Sequence, residues 1–380
     1  MQAKSIFRCT IMRGGTSKGI FLMEKDLPRD PQLRDRIILA IFGSPDIRQI
    51  DGLGGADSLT SKLALIAPSN EPGQDVHYTF GAVGIDKPFV DYSANCGNIS
   101  SAVGPYAIGQ GFVRAVEPFT TVRIFNANTQ KMIDARIPVK KGKVVSDGDY
   151  VIDGVPGSGA KIELRFIDPG GAATGRLLPT GNARDVVRLD SGEEFTLTIV
   201  DAGNPTAFVS ASELGLQGTE LPGPFEQKVE TKKKLESIRE KVAELIGIPC
   251  SPSIPKISFV GPPQDYKLVT GEEVKRGEID LVARVMAMGK MHKTFAITAS
   301  IPAAIAAVIP NSVVQHATGG SSTMERTIII GHPSGQMDVE VEARKEGNRI
   351  HVVSCTIGRT ARKIMEGRVY IPKRVYHFGK

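Results

Sequence analysis

The chain has 380 residues, of which 41% are hydrophobic and 23% charged, and it carries a formal net charge of +6. That balance belongs to a folded globular protein large enough for two domains, and it excludes wholesale disorder. It does not make a nucleic-acid footprint either, because the basic residues are dispersed, tryptophan is absent and aromatics are only 6%.

In chain order, "IMRGGTSKGIFLMEKDL" from Ile11 is the first clear element: an apolar strand end, a turn around Gly15 and the apolar pair Ile20-Phe21. "DGLGGADSLTSKLALIAP" from Asp51 follows, a glycine-rich loop that delivers Lys62 into an apolar strand. "SANCGNISSAVGPYAIGQG" from Ser93 predicts a helix, with Ser93 and Asn95 as capping residues before a run that is nearly all small or apolar. "TVRIFNANTQKMIDARIPV" from Thr121 predicts a hairpin turning at Asn126 to Asn128. The polar, glycine-containing stretch 180–194 then marks a boundary.

Beyond it the same elements return. "IVDAGNPTAFVSASEL" from Ile199 repeats the first motif around Gly203, and "PKISFVGP" from Pro255 repeats "SKLALIAP" from Ser61, setting Lys256 opposite Lys62. "ASIPAAIAAVIP" from Ala299 is a second small, apolar helix, and "RTIIIGHPSGQMDVEVEA" from Arg326 a second hairpin, turning at His332 to Gly335. Four pairings in one order indicate a duplication. Each copy is mostly strand with one helix apolar nearly all round, so that helix belongs inside a curved sheet. The expected shape is two α+β lobes facing each other across a cleft. The charged segment "KVETKKKLESIREKVAELIG" from Lys228 reads as an amphipathic helix, with Val229, Leu235, Ile238, Val242 and Leu245 on its apolar stripe.

Candidate chemistry concentrates in the first copy. A helix start presents unpaired N–H groups and partial positive charge, which favour a thiolate, so Cys96 is a candidate reactive group. Free cysteine is equally at home as a small buried hydrophobe, and this segment alone leaves both readings open. The other three, Cys9, Cys250 and Cys355, lie in strand-like or proline-flanked contexts that favour packing. A lysine entering apolar surroundings, as Lys62 does, surrenders its proton more readily, although lysines at strand ends commonly snorkel outward. "MRGGTSKG" from Met12 is not a nucleotide-binding phosphate loop, since Gly19 follows Lys18. Its turn amides and the Thr16 and Ser17 hydroxyls still suit a carboxylate. Gly97 offers close backbone approach, and its amide and that of Asn98 suit a carboxylate too. No histidine pattern has metal-ligand or triad spacing, so neither metal nor cofactor is expected.

Together "MRGGTSKG", "IDGLGGADSLTSK" and "SANCGNISSAVGPYAI" resemble the 2-methylaconitate and methylitaconate isomerase family, over essentially the whole chain. The resemblance implies the diaminopimelate epimerase fold: two pseudo-symmetric lobes, each a barrel-like sheet around a central buried helix, with the active site between them. It implies a first lobe of residues 1–185 plus a C-terminal strand 368–380, and a second lobe of 186–367. Epimerases of this fold carry a cysteine at each central helix. Here Ser300 or Ile301 is expected at the second position, which disfavours a two-cysteine racemase.

The resemblance assigns acid/base work to Lys62 and Cys96, and does not settle which removes the first proton. Thr16, Ser17, Gly54, Gly55, Gly97 and Asn98 are the expected carboxylate ligands of the first lobe, with Lys293 and Ser300 across the cleft. The implied activity is a cofactor-independent allylic proton shift in a small unsaturated di- or tricarboxylate. Methylitaconate isomerases are the most similar in appearance, and 2-methylaconitate isomerisation and 4-oxalomesaconate tautomerisation are the alternatives. A non-catalytic carboxylate-binding protein is the rival of another class. A pyridoxal-type Schiff-base enzyme is disfavoured, because no suitable phosphate loop appears. Absence of CxxC spacing, of a signal-like start and of a long apolar span leads to a cytoplasmic expectation without membrane or nucleic-acid partners. Homo-oligomer formation is left open.

Overall fold

The computed structural model describes residues 5–320, 323–347 and 349–376. Its organising feature is a set of seven strands that occurs twice with the same order and sense. In the first set Ile6–Gly14 pairs antiparallel with Ser17–Met23, which runs parallel to Lys62–Pro68. Val76–Val83, Phe119–Asn126, Lys131–Lys140 and Ile162–Ile167 follow, joined antiparallel, parallel, antiparallel and antiparallel. The second set is Glu194–Ala202, Asn204–Ser210, Lys256–Gly261, Leu281–Ala287, Glu325–His332, Gly335–Glu346 and Arg349–Arg359, with the same succession of senses. We call these the first and second lobes.

Register makes the duplication exact at the lysines: Gly19 pairs with Lys62 as Thr206 pairs with Lys256. The turns match as well, since Gly15 and Gly203 both take positive φ, the left-handed region that suits glycine.

The lobes are stitched at three places. Their seventh strands, Ile162–Ile167 and Arg349–Arg359, pair with each other. The strand after each seventh strand crosses over: Asp185–Arg188 joins Glu194–Ala202, and Ala361–Tyr370 joins Ile6–Gly14. The C-terminal strand therefore returns to the first lobe, but it spans Ala361–Tyr370, earlier than the expected 368–380, of which 377–380 fall outside the described residues. Asp185–Arg188 straddles the anticipated boundary at 185/186, because it is one half of this reciprocal exchange.

One helix runs inside each sheet, Gly97–Gly109 in the first and Ile297–Val308 in the second. Every residue from Gly97 to Ile108, and all of Ile297–Val308, is buried. Small side chains let the curved sheets close around them, and their apolar atoms leave water on all sides.

A second helix of each lobe covers the outside. Pro31–Phe42 is capped by Asp30, whose carboxylate accepts from Leu33 N at 2.9 Å, and it buries Ile37, Ile38, Ile41 and Phe42. Its counterpart Val229–Ile246 buries Leu235, Ile238, Val242 and Ala243. Val229 and Leu245 are exposed, so the apolar stripe is narrower than the sequence pattern suggests. Among the described residues no helix is long and apolar enough to cross a membrane.

Candidate active site

The two central helices begin face to face. Cys96 is the N-cap of the first and Ala296 of the second. The expected replacement of the second cysteine by Ser300 or Ile301 is therefore corrected: Ala296 holds that place. Ser300 lies a turn further in, fully buried, and its hydroxyl donates to Ile297 O within the helix. It faces no ligand.

A cavity lies between these helix starts, bordered by Lys62, Asn95, Cys96, Gly97 and Asn98 from the first lobe. Ser253, Lys256, His292, Ala296 and Thr298 border it from the second. Lys62 enters at the start of its strand, beside Ser17 on the parallel neighbour. Its ammonium donates to Ser17 Oγ at 2.9 Å and to Cys96 Sγ at 3.2 Å. Cys96 is only 7% exposed. Its backbone N–H donates to Asn95 Oδ1 at 2.6 Å, and its carbonyl accepts from Ser100 N at 3.0 Å. Asn95 is itself pinned: Asn126 Nδ2 donates to its Oδ1 at 3.0 Å, and its N–H donates to Asn204 Oδ1 of the other lobe at 2.9 Å. The thiol is held at a helix N-terminus, beside an ammonium, in a largely dry place. The ammonium within hydrogen-bond distance of the sulfur gives a short proton path between the two groups.

Other expected residues are placed differently. Thr16 donates its N–H to Asn98 Oδ1 at 3.4 Å, and its hydroxyl lies 3.4 Å from that of Thr294 across the cleft. Gly54 and Gly55 do not border the cavity. A Cβ at Gly54 would strike the Gln49 amide and one at Gly55 the Thr60 side chain, so both glycines serve the packing of their loop. Gly97 does border it, but the room left by its missing side chain is filled by Ile297. Lys293 is not in the cavity. It spans the cleft outside, with Nζ 2.8 Å from Asp57 Oδ2.

Sequence reading missed Lys256 and His292. His292 is buried, and burial, with the Lys62 charge nearby, pushes its pKa down to about 3. It is therefore neutral, and its Nδ1 accepts from Thr294 N at 3.1 Å, which leaves the ring hydrogen on Nε2. No sequence spacing marks this histidine. Lys256 had a signal, its place opposite Lys62 in the duplication. Among the described residues no group of three or more potential ligands is arranged to hold a metal ion.

The family model for PrpF protein matches residues 4–372. The chain belongs to that family. A 3-methylitaconate isomerase from Eubacterium barkeri is 48% identical, covering 96% of this chain and 97% of the relative. A 2-methyl-aconitate isomerase from Shewanella oneidensis is 39% identical, covering 96% of each. The crystal structure of a methylitaconate-delta-isomerase superposes with a TM-score of 0.79 at 45% identity, over 98% of this chain and 97% of that one. A hydroxyproline epimerase from Agrobacterium vitis shares the fold, with a TM-score of 0.59 at 14% identity over 97% and 94% of the two chains. The architecture is thus the two-lobed epimerase-like one, and this PrpF-family chain is an isomerase.

Proposed function

We propose that the protein moves the double bond of a small unsaturated polycarboxylate, converting 3-methylitaconate to 2,3-dimethylmaleate, with Lys62 and Cys96 as the acid/base pair. The observation that carries this reading is the 3.2 Å contact between Lys62 Nζ and Cys96 Sγ at the mouth of a buried helix. The identity to a 3-methylitaconate isomerase supports the choice of substrate.

The reaction breaks a C–H bond next to a carboxylate, spreads the electron pair over a dienolate, and forms a C–H bond at the far carbon of the allylic unit. One proton leaves and one returns, and no redox partner is needed. The pair supplies both transfers from one side. The amides of Gly97 and Asn98 at the helix start, with the Ser17 hydroxyl behind Lys62, favour the charge that develops on the carboxylate. General acid/base work of this kind contributes roughly 10²–10⁴-fold. The four cysteines are all unpaired, which suits a reducing cytoplasm.

A panel of 3-methylitaconate, 2-methylaconitate and 4-oxalomesaconate, followed by ultraviolet absorbance and by deuterium uptake from solvent, tests the reading. Turnover of the first with exchange at the allylic carbon is expected. Preference for either other acid moves the substrate within the family. Tight binding of all three without exchange would make the protein a carboxylate binder.

A further inference from the structure

The duplication places two lysines in one cavity, and among the described residues only Lys62 of the two has side-chain hydrogen-bond partners. Lys62 and Lys256 occupy the same register position of equivalent strands, beside Gly19 and Thr206. The groups that receive the Lys62 ammonium have counterparts that cannot serve Lys256. Ser17 corresponds to Asn204, whose amide is engaged with the Asn95 backbone at 2.9 and 3.3 Å. Cys96 corresponds to Ala296, which has no acceptor. Lys256 is 8% exposed, and its hydrogen bond among the described residues is a long one, 3.3 Å to Ser253 O. An ammonium has three donors, and leaving them unfilled away from water is costly unless an anion arrives.

We propose that Lys256 is a carboxylate ligand of the substrate, gripping it from the second lobe while Lys62 and Cys96 work from the first. This rests on the reading of the cavity as a polycarboxylate isomerase site. A diacid carries two negative charges, and one ammonium per lobe matches them while holding the allylic unit between. The ion pair forms in a nearly dry place, where charge-assisted bonds are strong and both lobes must be closed to make it.

Burial, then the neighbouring Lys62 charge, pulls the Lys256 pKa down to about 8, against the opposing influence of Cys96 and Asp91. Arg239 adds to the lowering, and His292, the remaining titratable neighbour, is neutral. The free enzyme therefore loses this positive charge as pH rises through about 8, and affinity for the diacid falls there.

The test is Lys256→Met, which replaces a buried charge by an apolar side chain of similar length and leaves folding intact or improved. With 3-methylitaconate a KM increase of about 30-fold or more is expected, with kcat reduced less than about tenfold. The alkaline fall of kcat/KM near pH 8 also becomes shallower. A half-amide of the substrate, lacking one carboxylate, discriminates the variant from the wild type far less than the diacid does. An unchanged KM, or a collapse of kcat at unchanged KM, overturns the proposal, the latter by making Lys256 a proton donor.

Calorimetry with methylsuccinate, a saturated diacid, separates this from the function. If the wild type binds methylsuccinate, the variant does not, and no unsaturated acid is turned over, Lys256 stands and the isomerase reading falls. If the acids are turned over and the variant binds methylsuccinate as the wild type does, the reverse holds. If the wild type itself does not bind it, the carboxylate grip is overturned.

Discussion

Ile297 occupies the space that a side chain at Gly97 would need: a Cβ there would lie 2.4 Å from Ile297 Cγ2 and 2.7 Å from its Cβ. The first residues of the two central helices are thus in contact across the cleft, and the cavity is shaped by how closely they approach. Gly97→Ala forces them apart. An overpacking cost of about 1–3 kcal/mol is expected in chemical denaturation, with a loss of activity larger than the loss of stability implies. Gly97→Ala combined with Ile297→Val should recover part of both. Equal stability and activity in Gly97→Ala and the wild type would refute the contact.

Lys62→Ala and Cys96→Ser each remove one half of the proposed proton relay. Each should lower kcat by about 10²–10⁴-fold and abolish solvent deuterium uptake, while the thermal transition stays within a few degrees. The pair acts as a unit, so the double variant should be little worse than either single one. Full activity in both single variants would remove the assignment.

Much of this arrangement was legible in the chain. Lys62 and Lys256 could be set opposite each other because the apolar strings after them repeat, and the observed register pairs them with Gly19 and Thr206. The burial of both central helices followed from residues small and apolar on every side. What stayed hidden depends on three-dimensional approach. Nothing local says that Gly97 is spared a side chain for Ile297, or that Lys293 meets Asp57 outside the cavity. The place of Ala296 at the second helix start depended on where that helix begins: the hydroxyl of Ser300 suggests a later start, whereas the helix opens at Ile297 behind an N-cap whose side chain cannot cap.

Cysteine chemistry should follow burial. Cys250 is exposed, contrary to the packing role its proline-flanked context suggests, whereas Cys9 and Cys355 are buried in strands. Burial raises the pKa of all three, far above the ordinary thiol range for Cys355, so access to solvent is what sets Cys250 apart. Iodoacetamide at pH 8 should therefore modify exposed Cys250 first and Cys96, buried but bordering the cavity, more slowly in the native protein, and a diacid ligand should protect Cys96 alone. Cys9 and Cys355 should react only after unfolding, as peptide mass mapping would report. Protection of Cys250 and not of Cys96 would argue against the cavity as the ligand site.

Asp57 and Lys293 join the lobes at the cleft rim, with the side chains 33% and 64% exposed. Burial alone would raise the Asp57 pKa, but the hydrogen bonds from Lys293 and from the Leu59 N–H, with the Lys293 charge, together outweigh it and the net shift is downward. A depressed carboxyl contributes stability that is present above its unfolded pKa of about 4 and lost as pH falls through the folded value. Being solvent-screened, the pair is worth under about 1 kcal/mol. Asp57→Asn should therefore barely change the denaturation midpoint at pH 7, yet raise KM in a salt-sensitive way if the pair helps to hold the cleft closed. A KM equal to the wild type at low and high salt would show the pair to be ornamental to closure.

His292 supplies the last expectation, in the opposite pH direction from a histidine that gains a carboxylate partner. Its folded pKa lies near 3, because burial and the Lys62 charge disfavour the imidazolium, whereas the unfolded chain titrates near the ordinary 6.5. The unfolded state thus binds the extra proton throughout the interval between these values. Stability from the neutral ring is full above about pH 6.5 and declines as pH falls toward 3, with a slope approaching about 1.4 kcal/mol per pH unit. His332, also buried and held well below its ordinary value, adds a decline of the same sign. Burial raises the pKa values of Asp134, Asp153 and Asp201, which act with the opposite sign, so the difference between variant and wild type in urea denaturation between pH 6 and 5 is what isolates this histidine. His292→Gln should reduce the slope by up to one proton and leave the His332 share in place. Identical slopes in variant and wild type would mean that the ring is protonated in the folded protein, and that it offers the cavity a charge instead of a neutral Nε2–H.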